Sequence, residues 1–149
     1  MSFVNILSPE RVQIDVAATS KKRALEQLSK LLAAGDDTLS SAKIFDALLV
    51  RERLGSTGLG FGIAIPHARH ADANKPRAAC MRLQQGVDFD APDRQPVDFI
   101  FGLLVPDGAS DEHVQTLASL AEMLDQAAVR ERLRLAPDGA ALMNIMTGG

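Results

Sequence analysis

Residues 97–105 read VDFIFGLLV, nine positions of which Asp98 alone is charged. A strand with one wet face alternates apolar and polar side chains, whereas a run that stays apolar is expected where both faces are covered. The flanking sequence supplies the elements to cover it. Beyond the run, Pro106-Asp107-Gly108 turns the chain. Ser110 can then cap a helix, with Asp111 and Glu112 suited to its positive end. His113, Leu117, Leu120, Ala121 and Leu124 share one face of that helix. Two shorter helices follow at about 127–134 and 138–146.

Reading backward from the same run, residues 86–96 form a turn-rich connection and 77–83 another strand. Val12, Ile14 and Val16 alternate with Gln13 and Asp15, the period of a half-buried strand at a sheet edge. Ser20 caps a helix whose Ala24, Leu25, Leu28, Leu31 and Leu32 recur at helical spacing until Gly35. Ser40 or Ser41 caps a second, with Ile44, Leu48 and Leu49 inward and an end near 51–53. Helices alternating with strands predict a layered α/β fold. The 149 residues, 46% hydrophobic and without a repeat or linker, suit a single domain over 1–149.

Composition removes several functions. A net charge of −3, basic residues scattered among acids, and no Trp or Tyr give no surface for nucleic acid. No apolar run reaches the roughly 20 residues of a membrane helix. The opening MSFVNILSPE lacks the basic and apolar regions of a signal peptide, so a cytoplasmic protein with no membrane insertion is expected. Cys80, the one cysteine, lies in AACMRL and reads as a small buried hydrophobe.

The least ordinary stretch is 54–70, LGSTGLGFGIAIPHARH, where four glycines precede a short strand at Ile63-Ala64-Ile65 and then Pro66. Gly55-Ser56-Thr57-Gly58 lacks the Gly-Lys-Ser/Thr ending of a P-loop. Gly58, Gly60 and Gly62 lack the third glycine of a dinucleotide fingerprint and lead to a strand, not a helix. Among the three histidines, the HARH spacing fits neither a zinc finger nor HExxH, so no metal is expected. Pro66 stiffens the backbone that presents His67, giving an imidazole an accurate position for nucleophilic work. The plainer alternatives are a surface histidine at 67, a core histidine at 113 and, at Arg51, a cation complementing its helix end.

Residues 51–70, RERLGSTGLGFGIAIPHARH, resemble the signature around the phosphorylated histidine of enzyme IIA proteins in the mannitol, fructose and nitrogen branches of the bacterial phosphotransferase system. SKKRALE at 20–26, QPVD at 95–98 and LLVP at 103–106 look like the nitrogen-related branch in the same order. The resemblance implies a three-layer α/β/α fold with a mixed β-sheet flanked by helices on both faces. It maps the phosphoryl acceptor onto His67, the neighbouring histidine onto His113 and the phosphate-facing arginine onto Arg51. His70 matches no functional position and is expected at the surface. Phe61 departs from the pattern, since many relatives carry a small polar residue such as Asn there.

Phosphoryl transfer needs an aimed nucleophile and charge stabilisation more than many catalytic groups. Neutral His67 is expected to attack with one ring nitrogen while the other donates to a backbone carbonyl. His113 would donate to the phosphoryl group, Arg51 would supply charge, and Ser56 and Thr57 would help line the anion. The resemblance further implies a histidine-phosphorylated carrier protein as donor, regulatory targets that are potassium-handling or nitrogen-linked, and no nucleotide or other cofactor. A sugar-transporter subunit of the fructose or mannitol type and a non-catalytic interaction module are the alternatives.

Overall fold

The computed structural model describes residues 3–108 and 112–148, apart from the side chains at 112 and 113. Along the chain run β1 (Val12–Val16), α1 (Lys21–Ala33), α2 (Ser41–Arg53), β2 (Gly58–Gly60), β3 (Ile63–Ala64) and β4 (His67–His70). Then come β5 (Arg77–Val87), β6 (Val97–Pro106), α3 (Glu112–Leu124), α4 (Ala127–Leu135) and α5 (Gly139–Met146). The sheet order is β1-β5-β6-β3-β2, with β4 also on β6. It is mixed: β1 is parallel to β5, β5 antiparallel to β6, and β3 and β4 parallel to β6.

The apolar run at β6 is buried on both faces, as its composition predicts. On one face Met81, Ile100 and Leu104 pack with Leu25, Leu28, Ile44 and Leu48 of α1 and α2. On the other, Cys80, Phe99, Phe101 and Leu103 pack with Leu120, Leu124, Leu133 and Leu142 of α3, α4 and α5. The period of two along a strand thus sorts successive residues of β5 and β6 into separate cores, and three layers result. Gly102 is required for close approach: a Cβ there would lie 2.7 Å from a Leu28 methyl. Burial pushes the Cys80 thiol up to about 12.

Local chemistry starts the helices where expected. The Ser20 and Ser40 hydroxyls accept from the amides of Arg23 at 3.1 Å and Lys43 at 3.3 Å, satisfying first-turn donors. Asp138 does the same for Ala141 at 2.8 Å, starting α5. Ser110, the expected cap of α3, lies outside the described residues.

Two stretches differ from expectation. Strand β5 runs on to Val87 through polar Gln84 and Gln85, with irregular pairing after Arg82. And residues 67–70 form a strand: β3 and β4 occupy one position beside β6 in a continuous register, Ile63 opposite Phe99 and His67 opposite Leu103. Pro66, lacking an N–H, breaks the strand into two, while its carbonyl still accepts from the Leu103 amide at 3.0 Å. His70, expected at the surface, is therefore on the covered face of β4 and 7% exposed, with Nδ1 accepting from the Asp72 amide at 3.0 Å.

Candidate functional site

The helix α2 ends over β4, and the two deliver Arg51 and His67 to one place. Arg51 stands on the last turn of α2 and His67 opens β4, so each side chain springs from a regular element. The His67 Nδ1 lies 2.9 Å from the carbonyl oxygen of Ile65. A carbonyl only accepts, so Nδ1 carries the proton. Arg51 Nε approaches Nε2 of the same ring at 3.3 Å. A guanidinium only donates, so Nε2 presents its lone pair. Both partners therefore select the same neutral tautomer, and the nitrogen left nucleophilic is the one facing Arg51. Arg51 is steadied in turn by an Nη1 bond to the Gly55 carbonyl at 2.9 Å.

Pro66 explains the close contact between His67 and the carbonyl two residues before it. Its ring fixes the backbone between them, while the Ile65 amide is bonded to the Thr57 carbonyl at 3.0 Å. The imidazole is half-buried. Beside it opens a depression of about 450 Å³, walled by buried Leu103 and Val105 and by Val50 and Leu54. The last two are 56% and 82% exposed, an apolar surface next to a polar imidazole.

Ser56 and Thr57 stand in the loop leading to β2, with their hydroxyls bonded into the fold. Ser56 donates to the Phe89 carbonyl at 2.7 Å and accepts from the Gly58 amide at 3.0 Å. Thr57 is 5% exposed and its hydroxyl donates to Glu52. His113 belongs to the first turn of α3, but its side chain lies outside the described residues. No group of three or more metal-ligating side chains occurs among the described residues, and no helix among them is long and apolar enough to cross a membrane.

Phe61 sits at the tip of the β2–β3 hairpin, at the opposite end from Thr57 and Ile65. Its φ of +58° is left-handed, a region in which Asn is at home and a large aromatic residue is strained. The tip is held nonetheless. The Phe61 amide donates to Asp93 at 2.9 Å, Arg134 donates to the Phe61 carbonyl, and the Arg130 guanidinium stacks 4.0 Å from the ring centre. The Gln95 amide also donates to Asp93, at 3.1 Å, and the Phe61 and Gln95 amides together hold its carboxyl below the ordinary range.

One residue at the site escaped the sequence reading. Glu52 is 8% exposed, an ionisable group in the interior. Its signal was present, because Ile44, Leu48 and Glu52 recur at four-residue spacing along the buried face of α2.

The chain matches the family described as "Phosphoenolpyruvate-dependent sugar phosphotransferase system, EIIA 2" over residues 5–148. It is 48% identical over 141 residues to the nitrogen regulatory protein of Pseudomonas aeruginosa, covering 95% of this chain and 92% of that protein. With the nitrogen regulatory protein of Klebsiella oxytoca it shares 42% identity over 148 residues, 99% of this chain and 91% of the other. The crystal structure of nitrogen regulatory protein IIA-Ntr from Neisseria meningitidis matches at a TM-score of 0.90 and 42% identity, covering 96% of this chain and 97% of that one.

Proposed function

We propose, for a chain that belongs to the EIIA 2 family of the phosphoenolpyruvate-dependent sugar phosphotransferase system, that Nε2 of His67 accepts and passes on the phosphoryl group. The protein is a phosphocarrier of the nitrogen-regulatory type. The observation that carries the assignment of His67 is its pair of hydrogen bonds, which leave one nitrogen as nucleophile and place a permanent cation against it.

In the proposed step the Nε2 lone pair attacks phosphorus as the N–P bond to the donor histidine breaks, and the bonding pair returns to the donor nitrogen. The Nδ1 proton stays on His67, where the Ile65 carbonyl stabilises the positive charge that develops on the ring. Arg51 Nε, its acceptor lone pair on His67 now bonded to phosphorus, turns its N–H toward the phosphoryl oxygens, as a planar guanidinium does well. His113 is assigned a hydrogen bond to the same group. Ser56 and Thr57, whose hydroxyls donate to Phe89 and Glu52, shape the loop. Like bonds are exchanged, so transfer runs in both directions without nucleotide or metal.

Partners are phosphocarrier or enzyme IIB proteins and regulatory targets. More finely, we assign a small histidine-phosphorylated carrier as donor, and potassium-handling or nitrogen-linked proteins as targets. Phosphorylation adds about 1.5 to 2 negative charges beside exposed Val50 and Leu54, which disfavours a target that docks there by burying apolar area.

The test is incubation with phosphoenolpyruvate, enzyme I and its carrier, followed by assay for acid-labile, base-stable phosphate. Wild type should be labelled and His67→Ala should not. A labelled His67→Ala protein would remove His67 from this role, and efficient onward transfer to a sugar-specific enzyme IIB would favour transport over regulation.

A further inference from the structure

The loop that precedes β2 has little apolar anchorage. Leu54 is 82% exposed, and Gly55, Ser56 and Thr57 carry no large hydrophobic side chain. The contacts of His67 with Arg51 and with the Ile65 carbonyl nevertheless depend on it. The Gly55 carbonyl holds Arg51, and the Thr57 carbonyl holds the amide of Ile65, whose own carbonyl fixes the imidazole.

A buried polar cluster holds this loop in place. Glu52 follows Arg51 on α2, roughly 100° further round the helix at 3.6 residues per turn, and its side chain is 4% exposed. Three donors converge on its carboxylate: Lys21 Nζ at 3.0 Å, the Thr57 amide at 3.2 Å and the Thr57 hydroxyl. Lys21, the first residue of α1, also donates to the Phe89 carbonyl at 3.3 Å, its ammonium 4.7 Å from the centre of that buried ring. The same carbonyl accepts the Ser56 hydroxyl. A carboxylate removed from water persists only when paired and hydrogen-bonded. Breaking one of these bonds therefore loosens the loop rather than a distant surface.

We propose that Lys21, Glu52 and Thr57 form a positioning network for phosphoryl transfer, fixing through residues 55–57 both the tautomer and orientation of His67 and the approach of Arg51. The inference rests on His67 as acceptor. None of the three touches the phosphoryl group. Each acts through the two hydrogen bonds that aim Nε2, and the network joins the starts of α1 and β2 to the end of α2.

Thr57→Val and Thr57→Ser separate positioning from bulk stability. Valine keeps the branched shape and the Lys21–Glu52 pair but deletes the hydroxyl, whereas serine keeps the hydroxyl. Two readouts are taken on folded protein, with melting temperature as control. Two-bond ¹H–¹⁵N correlations of the His67 ring in unphosphorylated protein report its tautomer. Single-turnover transfer from phosphorylated carrier, at varied carrier concentration, separates the maximal rate from the half-saturating concentration. Thr57→Val should mix the tautomers and lower the maximal rate about tenfold or more, toward the roughly 10²-fold that a 1 Å misplacement of a reacting group can cost, with half-saturation unchanged. Thr57→Ser should restore both. An unaltered ring spectrum and rate in Thr57→Val, equal losses in the two variants, or a change confined to half-saturation would each overturn the proposal. If wild type accepts no phosphate on His67, the acceptor assignment fails, and the ring spectrum still decides whether the network sets the imidazole.

Discussion

Arg51→Lys keeps a positive charge and removes the fork, so it separates geometry from electrostatics. In the resting protein Arg51 spans two acceptors, Nε2 of His67 at 3.3 Å and the Gly55 carbonyl at 2.9 Å, using different nitrogens of one rigid plane. A lysine ammonium is a single donor centre on a flexible stem and cannot hold the carbonyl while facing the ring. Losing one charge-assisted hydrogen bond in the transition state costs about 1.5–3 kcal/mol. At about 1.4 kcal/mol per tenfold, transfer should slow roughly 10- to 150-fold. Stability should change little, because the Arg51 bond to Gly55 is solvent-exposed. The assay is rapid-quench transfer from phosphorylated carrier at saturating concentration, with thermal unfolding run in parallel. A rate within twofold of wild type, by the same rate-to-energy conversion, would refute the argument and leave Arg51 as a cation complementing the end of α2.

Two further outcomes test the fold around the site. Gly102→Ala places a methyl 2.7 Å from Leu28 Cδ2 between β6 and α1, so urea titration should give a loss of about 1–3 kcal/mol from overpacking. Phe61→Asn relieves a left-handed aromatic residue but removes the ring under Arg130. These effects oppose each other at about 1 kcal/mol apiece, so denaturation should shift by less than that, and single-turnover transfer should be unaltered because the hairpin tip is remote from the end that holds His67.

The elements legible in the sequence are those whose signal is local. VDFIFGLLV reveals a doubly covered strand because, beyond Asp98 near its start, the core on each side leaves no position for a polar side chain, and Ser20 and Ser40 mark helix starts because a cap acts within three residues. The strand at 67–70 was hidden because its partner is distant. HARH has neither a long run nor clear alternation, and only pairing with residues 103–106 makes it a strand. The same pairing buries His70, a position that sequence polarity assigns to the surface.

The site was legible to a similar depth. A histidine after Pro66 and an arginine at the end of α2 could be singled out separately, and the tautomer needed only a carbonyl within reach of Nδ1. The hydroxyls of Ser56 and Thr57 could not be read, because a glycine-rich loop leaves side-chain direction open until a tertiary partner settles it. Here the partners are Phe89 and Glu52. Glu52 itself looks ordinary beside two arginines, since an acid and bases at a helix end usually form a solvated face. Yet Arg51 and Glu52, adjacent in sequence, face opposite environments. The first is turned to Nε2 of His67, and the second to an interior cluster closed by Lys21. A single helix end thereby supplies both the cation at the imidazole and the anion that anchors the loop, so a change in its register would disturb two contacts of His67 at once.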